Sequence, residues 1–121
     1  MPLLFALLLS ISNPSLITIP RVEAETLTSD DLRVIATADA VHYGLNTDHF
    51  LKVINRESGF NPNAVNPTSN ASGIVQILPS AHPDITKEEM FDPIWSLNWA
   101  AEEWSEGHQS MWEAWDQLYG K

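Results

Sequence analysis

Cysteine is absent from this chain of 121 residues. That excludes a disulfide framework and any thiolate metal site. Cations are scarce: six Lys and Arg stand against sixteen Asp and Glu, for a net charge of −10. Nucleic acid is a poor partner for such a chain, because binding it requires a basic face that releases counterions. No Lys/Arg-rich amphipathic stretch addresses an anionic membrane surface. There is no internal repeat, no low-complexity tract, no Gly-rich phosphate loop and no nucleophile elbow. His42, His49, His82 and His108 show no ligand spacing that would mark a zinc site. The sequence therefore calls for no cofactor and no metal.

The chain is long enough for one domain and too short for two. A hydrophobic content of 44% and five Trp allow a true core. Residues 3–11 form a short apolar run, and a second run, 16–19, follows Pro14. Val22-Glu23-Ala24 then supplies small residues suited to a signal peptidase. Residues 1–24 thus read as a cleavable signal peptide, which would make the protein exported, periplasmic or extracellular. No Lys or Arg precedes Arg21, so the usual positive flank is missing. An uncleaved anchor is the rival reading, and it would be the protein's contact with a membrane. Asn13 and Pro14 interrupt that span, which falls short of the ~20 continuous apolar residues a crossing needs. A buried N-terminal helix is the third reading.

Residues 26–119 read as a single, mainly α domain of five or six short helices with a long central loop and little or no β-structure. Ser29 is a good N-cap, with Asp30 and Asp31 in the first turn. Leu32, Ile35, Ala36 and Ala40 recur at helical spacing, and Gly44 suits the stop. Asn46 or Thr47 caps a second helix that runs to about Ser58. Residues 59–72, rich in Asn, Pro and Ser, form a loop or at most a small irregular hairpin. A short apolar helix is expected over residues 73–78, ending before Pro79. Thr86 caps a turn through Met90. Asp92 caps a longer helix with Pro93 at its first position, running to about Ser105 and stopping near Gly107. Ser110 starts a last helix through Leu118. A central loop of this length inside a small domain is usually functional.

Glu57 is the residue that this pattern leaves unexplained. Phe50, Val53, Ile54 and Glu57 share one face of the second helix, so the carboxylate extends an apolar stripe. It also stands at the helix C-terminus, where the macrodipole disfavours a negative charge. Both effects would raise its pKa, and a carboxyl kept protonated near neutrality is what a general acid needs. Taken alone, the residue could equally be solvated or ion-paired with Arg56 or Lys52.

Its surroundings are more specific. Glu57-Ser58-Gly59-Phe60-Asn61-Pro62-Asn63-Ala64 resembles the first motif of the soluble-type lytic transglycosylase (SLT) domain, a branch of the lysozyme-like superfamily. Ala71-Ser72-Gly73-Ile74-Val75-Gln76-Ile77-Leu78-Pro79 resembles its second motif, with Val75 where Met is common. Phe91-Asp92-Pro93 and Leu97-Asn98-Trp99-Ala100-Ala101 resemble the next block. Trp112 and Trp115 resemble the W-x-x-W ending of a small-sized subgroup. The Tyr-Asn-Ala-Gly segment that many relatives carry is absent. The resemblance spans about residues 48–116.

The resemblance implies a lysozyme-like fold and a peptidoglycan lytic transglycosylase. Glu57 would protonate the oxygen between N-acetylmuramic acid and N-acetylglucosamine, with help from the substrate's own N-acetyl group. The same group would then take the proton of the sugar 6-hydroxyl, which closes onto C1 and leaves a 1,6-anhydro product. Substrate-assisted cleavage of this kind needs one carboxylate. Ser58, Gly73, Gln76 and Asn98 would bind substrate. For each the plainer reading is structural: a polar helix end, a tight turn, a backbone-bonded amide and an interhelix bridge. The partner implied is the peptidoglycan glycan strand, and a monomer is expected. Two other readings stay open: a hydrolytic lysozyme on the same fold, and an inactive wall-binding module. Trp95, Trp99, Trp112 and Trp115 have faces that can stack on sugars, but in so small a domain they read mainly as core. His82, just after the second motif, reads as a surface-loop residue with lining of the cleft as the alternative, and Glu102, Glu103 and Glu106 read as a solvated face.

Overall fold

The computed structural model describes residues 27–120, so the signal-peptide reading of residues 1–24 lies outside the described residues. Among these residues there are five α-helices, one short 3-10 turn and no named strand. No described helix is long and apolar enough to cross a membrane.

Helix α1, Ser29–His42, is capped by Thr28 and not by Ser29: the Thr28 hydroxyl accepts from the Asp31 N–H, and the Asp31 carboxylate accepts from the Thr28 N–H. This reciprocal box satisfies two donors that a single cap would leave open. Thr28's two hydrogen bonds also hold the Asp31 carboxyl below its ordinary pKa. Leu32, Ala36 and Ala40, four apart, form the buried stripe. Helix α2, Thr47–Ser58, starts on Asn46, whose side chain accepts from the His49 N–H. It stops at Gly59, in the left-handed region at φ 63°, where glycine has no Cβ to strain.

Between α2 and the next helix the chain makes small hairpins. Val65 pairs with Ser72, and Ser72 pairs with Ile77, both antiparallel. The helix expected over residues 73–78 does not form. Gly73 and Gln76 both have positive φ, 86° and 57°, which reverses the chain within four residues. Ser72 and Ile77 then exchange two 2.9 Å backbone hydrogen bonds. A left-handed Gln is disfavoured by about 1–2 kcal/mol. Here its own amide offsets that strain by donating to Gly73 O at 2.9 Å and Ala64 O at 3.1 Å.

Helix α3, Lys87–Phe91, has a capping box between Thr86 and Glu89. Asp92 then accepts from the Ile94 and Trp95 N–H groups and, with Pro93 first, opens α4, Pro93–Ser105. The last helix begins later than Ser110. Residues Gln109–Met111 form the 3-10 turn, and α5 covers Glu113–Tyr119.

Helix α1 packs on α2 and α4, α3 on α4, and α5 on α2. The buried centre joins Phe50 of α2, Leu97 and Trp104 of α4, and Ile74 and Val75 of the hairpin. Phe50 meets Trp104 edge-on at 5.1 Å. Buried Ser96 donates to the Glu89 and Met90 carbonyls, which ties α4 to the end of α3. The result anchors three pieces against each other: the end of α2, the 72–77 hairpin and the start of α5.

Candidate active site

Glu57 stands where those three pieces meet. Apolar Phe50, Val53 and Ile54 bury the rest of its helix face, which leaves the carboxylate half-buried at the rim. The Ala114 N–H, in the first turn of α5, donates to Glu57 Oε2 at 3.2 Å. Burial raises the Glu57 pKa above its ordinary value; the Ala114 hydrogen bond opposes this, and the Glu113 carboxylate adds to it. The group is therefore held toward its protonated form while one oxygen is fixed by a backbone donor. Lys52 pairs with Asp48 at 3.3 Å.

The hairpin is fastened to both neighbours. The Ser58 hydroxyl donates to the Ile74 carbonyl. On the other side, the buried Trp112 indole N–H donates to Val75 O at 2.7 Å. Gln76 spends both amide donors on the backbone of its own loop. What it can offer a ligand is therefore its carbonyl oxygen.

Gly73 serves a close approach. A Cβ there would lie 1.9 Å from the Met90 carbonyl oxygen, so α3 sits directly against the hairpin backbone. Ser58, Gly73 and Gln76 are thus brought into one hairpin-centred unit beside Glu57. Asn98 belongs elsewhere: on α4, its Oδ1 accepts from the Tyr43 hydroxyl at 2.9 Å. Burial, with the Glu102 and Asp39 charges, raises the Tyr43 pKa and keeps that hydroxyl a donor.

A cavity of about 240 Å³ opens beside the unit, with Gln76, Ile77, His82, Trp99 and Trp112 in its wall. Glu57 is not in that wall. The connection runs through α5, because Trp112 lies two residues before the Ala114 that binds Glu57. His82 is not a free loop residue: it is half-buried and meets Trp99 edge-on at 5.1 Å.

Sequence reading missed Glu113 and Ala114. They lie inside the Trp112–Trp115 block, whose aromatic residues were its only visible signal. Glu103, Glu106 and His108 place ligating atoms within 4.8 Å of one another. His108 Nδ1 lies 2.8 Å from Glu103 Oε1, so the cluster reads as local hydrogen bonding at the end of α4.

The family model described as "Transglycosylase SLT domain" matches residues 35–118. That stretch runs from the middle of α1 to the end of α5 and contains every residue of the unit above. No curated protein and no solved structure matches the chain.

Proposed function

The chain belongs to the transglycosylase SLT domain family, and we propose that it is a peptidoglycan lytic transglycosylase with Glu57 as its one acid and base. The observation that carries this reading is the Glu57 carboxyl itself. Burial and Glu113 favour its protonated form, and Ala114 holds one of its oxygens. A positioned acid of raised pKa is what cleavage of a glycosidic bond requires.

Glu57 gives its proton to the oxygen joining N-acetylmuramic acid to N-acetylglucosamine. As that C1–O bond breaks, the muramic N-acetyl group stabilises the cation. The Glu57 carboxylate then takes the proton from the 6-hydroxyl, and O6 bonds to C1. The products are a free N-acetylglucosamine end and a 1,6-anhydromuramic end, with the enzyme returned to its starting protonation state. Gln76 Oε1 accepts from the sugar, while Ser58 and Gly73 hold the hairpin that carries it. Single-carboxylate chemistry of this kind calls for no metal or cofactor. The substrate lies outside the cytoplasmic membrane, so the enzyme works exported, as a monomer on the glycan strand.

The second reading is hydrolysis of the same bond by a lysozyme-type reaction. Glu113 favours it, because a two-carboxylate reaction needs a second acid group and the Glu113 charge is near enough to act on Glu57. Mass spectrometry of digested sacculi decides between them. Anhydromuramic ends are expected; reducing muramic ends overturn the transglycosylase reading in favour of hydrolysis.

A further inference from the structure

The outward side of α4 carries an aromatic surface that the Glu57 unit does not use. Trp95 and Trp99 stand one turn apart with ring planes 9° from parallel and centroids 6.2 Å apart. Both are half-buried, so each ring keeps an exposed part. With Ile94, Asn98 and Glu102 they line a cavity of about 370 Å³. Trp99 also lines the cavity of Gln76 and Trp112, so the two hollows share one ring as their common wall. That ring is packed against His82 at 5.1 Å and Trp112 at 5.8 Å, each meeting it at a steep angle.

The polar groups of this surface are specific. Asn98 Oδ1 already accepts from the Tyr43 hydroxyl, which leaves its amide N–H donors to offer a ligand. Glu102, one turn on, can offer only acceptors while ionised. A donor and an acceptor flanking parallel indole rings match a pyranose, which has apolar C–H faces and hydroxyls around its edge. A neutral sugar also suits a chain of net charge −10, where an anionic ligand would be repelled.

We propose that the Trp95–Trp99 face of α4 is a distal glycan-binding surface, holding the uncharged N-acetylglucosamine units of the strand whose scissile bond lies at Glu57. The strand passes from the Gln76 cavity across Trp99 and onto Trp95. This rests on the transglycosylase reading above and extends it to the length of substrate engaged. Pre-ordered rings bind without losing further side-chain freedom, which favours long strands over short ones.

The test uses the full chain carrying Glu57→Gln, titrated with chitobiose and chitohexaose and followed through the indole N–H signals in NMR. The Trp95 and Trp99 signals are expected to move with the hexamer and much less with the dimer. Adding Trp95→Ala is expected to weaken hexamer binding roughly three- to tenfold, the scale of one aromatic stacking contact, and to weaken dimer binding less. Because Trp95 also touches the core, the indole shifts of the chain that keeps Trp95 stand as a readout independent of that variant's folding. If the wild-type chain cleaves sacculi while the Trp95 signal stays still, the distal surface is overturned and the enzyme reading survives. If the wild-type chain neither binds nor cleaves any glycan, the enzyme reading itself fails. A Trp95 signal that moves with protein concentration in the absence of sugar assigns the surface to a second copy and overturns the proposal.

Discussion

The Ala114 N–H donates to Glu57 Oε2 at 3.2 Å, joining the start of α5 to the end of α2 across 57 positions of the chain. A backbone donor cannot be removed by a side-chain substitution, and a Gln at position 57 keeps an oxygen for it. Glu57→Gln therefore preserves the geometry and removes only the proton chemistry. Clearing of peptidoglycan on a zymogram is expected to fall by about 10²–10⁴-fold, the usual share of a positioned acid and base. Unchanged clearing would remove Glu57 from the acid role, whereas a parent chain that binds sacculi without clearing them would leave only a wall-binding module.

The same substitution has a pH signature in stability. The Glu57 pKa is raised in the folded state, so the folded chain holds this proton more tightly than the unfolded chain. The resulting stability is fully present below the ordinary glutamate pKa and is lost as pH rises through the raised value. Once ionised, the half-buried group is a net burden that Gln lacks. Glu57→Gln is expected to unfold at higher denaturant than the parent chain at pH 7. The gain should shrink toward zero near pH 3. A constant difference across that range would show that the carboxyl is not perturbed.

Much of this arrangement was legible in the sequence, and the limits have physical causes. The Phe50, Val53, Ile54, Glu57 stripe fixed the face of α2, and the Asp92-Pro93 pair fixed the start of α4, because both are local patterns. Thr28 and Ser29 are both competent caps, and only the Asp31 reciprocal bond chooses between them. The apolar run at residues 74–78 looked helical because its reversal depends on two positive φ angles, one of them at a residue that does not announce it. Glu113 and Ala114 were invisible for a different reason. Their role arises from α5 folding back on α2, a long-range contact that no local pattern encodes.

Glu113→Gln is the direct probe of that long-range contact. The Glu113 charge is one of the causes that raise the Glu57 pKa, after burial. Removing it lowers the pKa of an acid that must be protonated to work, so the alkaline limb of the rate profile should move to lower pH. Added salt should move the wild-type limb the same way, because it screens the repulsion. A shift of this kind with a preserved maximum rate marks Glu113 as a positioning charge. Loss of the maximum rate at every pH would instead assign it the water-activating role of a hydrolase.

Gly73 makes the strongest prediction about stability. Its backbone lies in the left-handed region at φ 86°, and a Cβ would meet the Met90 carbonyl at 1.9 Å. That neighbour is backbone in α3, tied to α4 through Ser96, and it cannot swing aside as a side chain could. Gly73→Ala is expected to destabilise the protein by about 3 kcal/mol or more, combining overpacking with a disfavoured φ. Urea unfolding followed by tryptophan fluorescence measures it. A loss below about 1 kcal/mol would mean that α3 is free to move away from the hairpin.

Ser58 separates positioning from sugar contact. Its single hydroxyl proton goes to the Ile74 carbonyl, so it has none left to donate to substrate. Ser58→Ala should then act through the hairpin. Stability falls by about 1 kcal/mol for one lost hydrogen bond to a partly buried acceptor, and kcat falls severalfold because Gln76 loses its fixed support. KM should change little. Ser58→Thr retains the hydroxyl and should recover most of both losses. If Ser58→Ala instead raises KM with kcat and unfolding unchanged, the hydroxyl meets the sugar, and its bond to Ile74 gives way when substrate arrives.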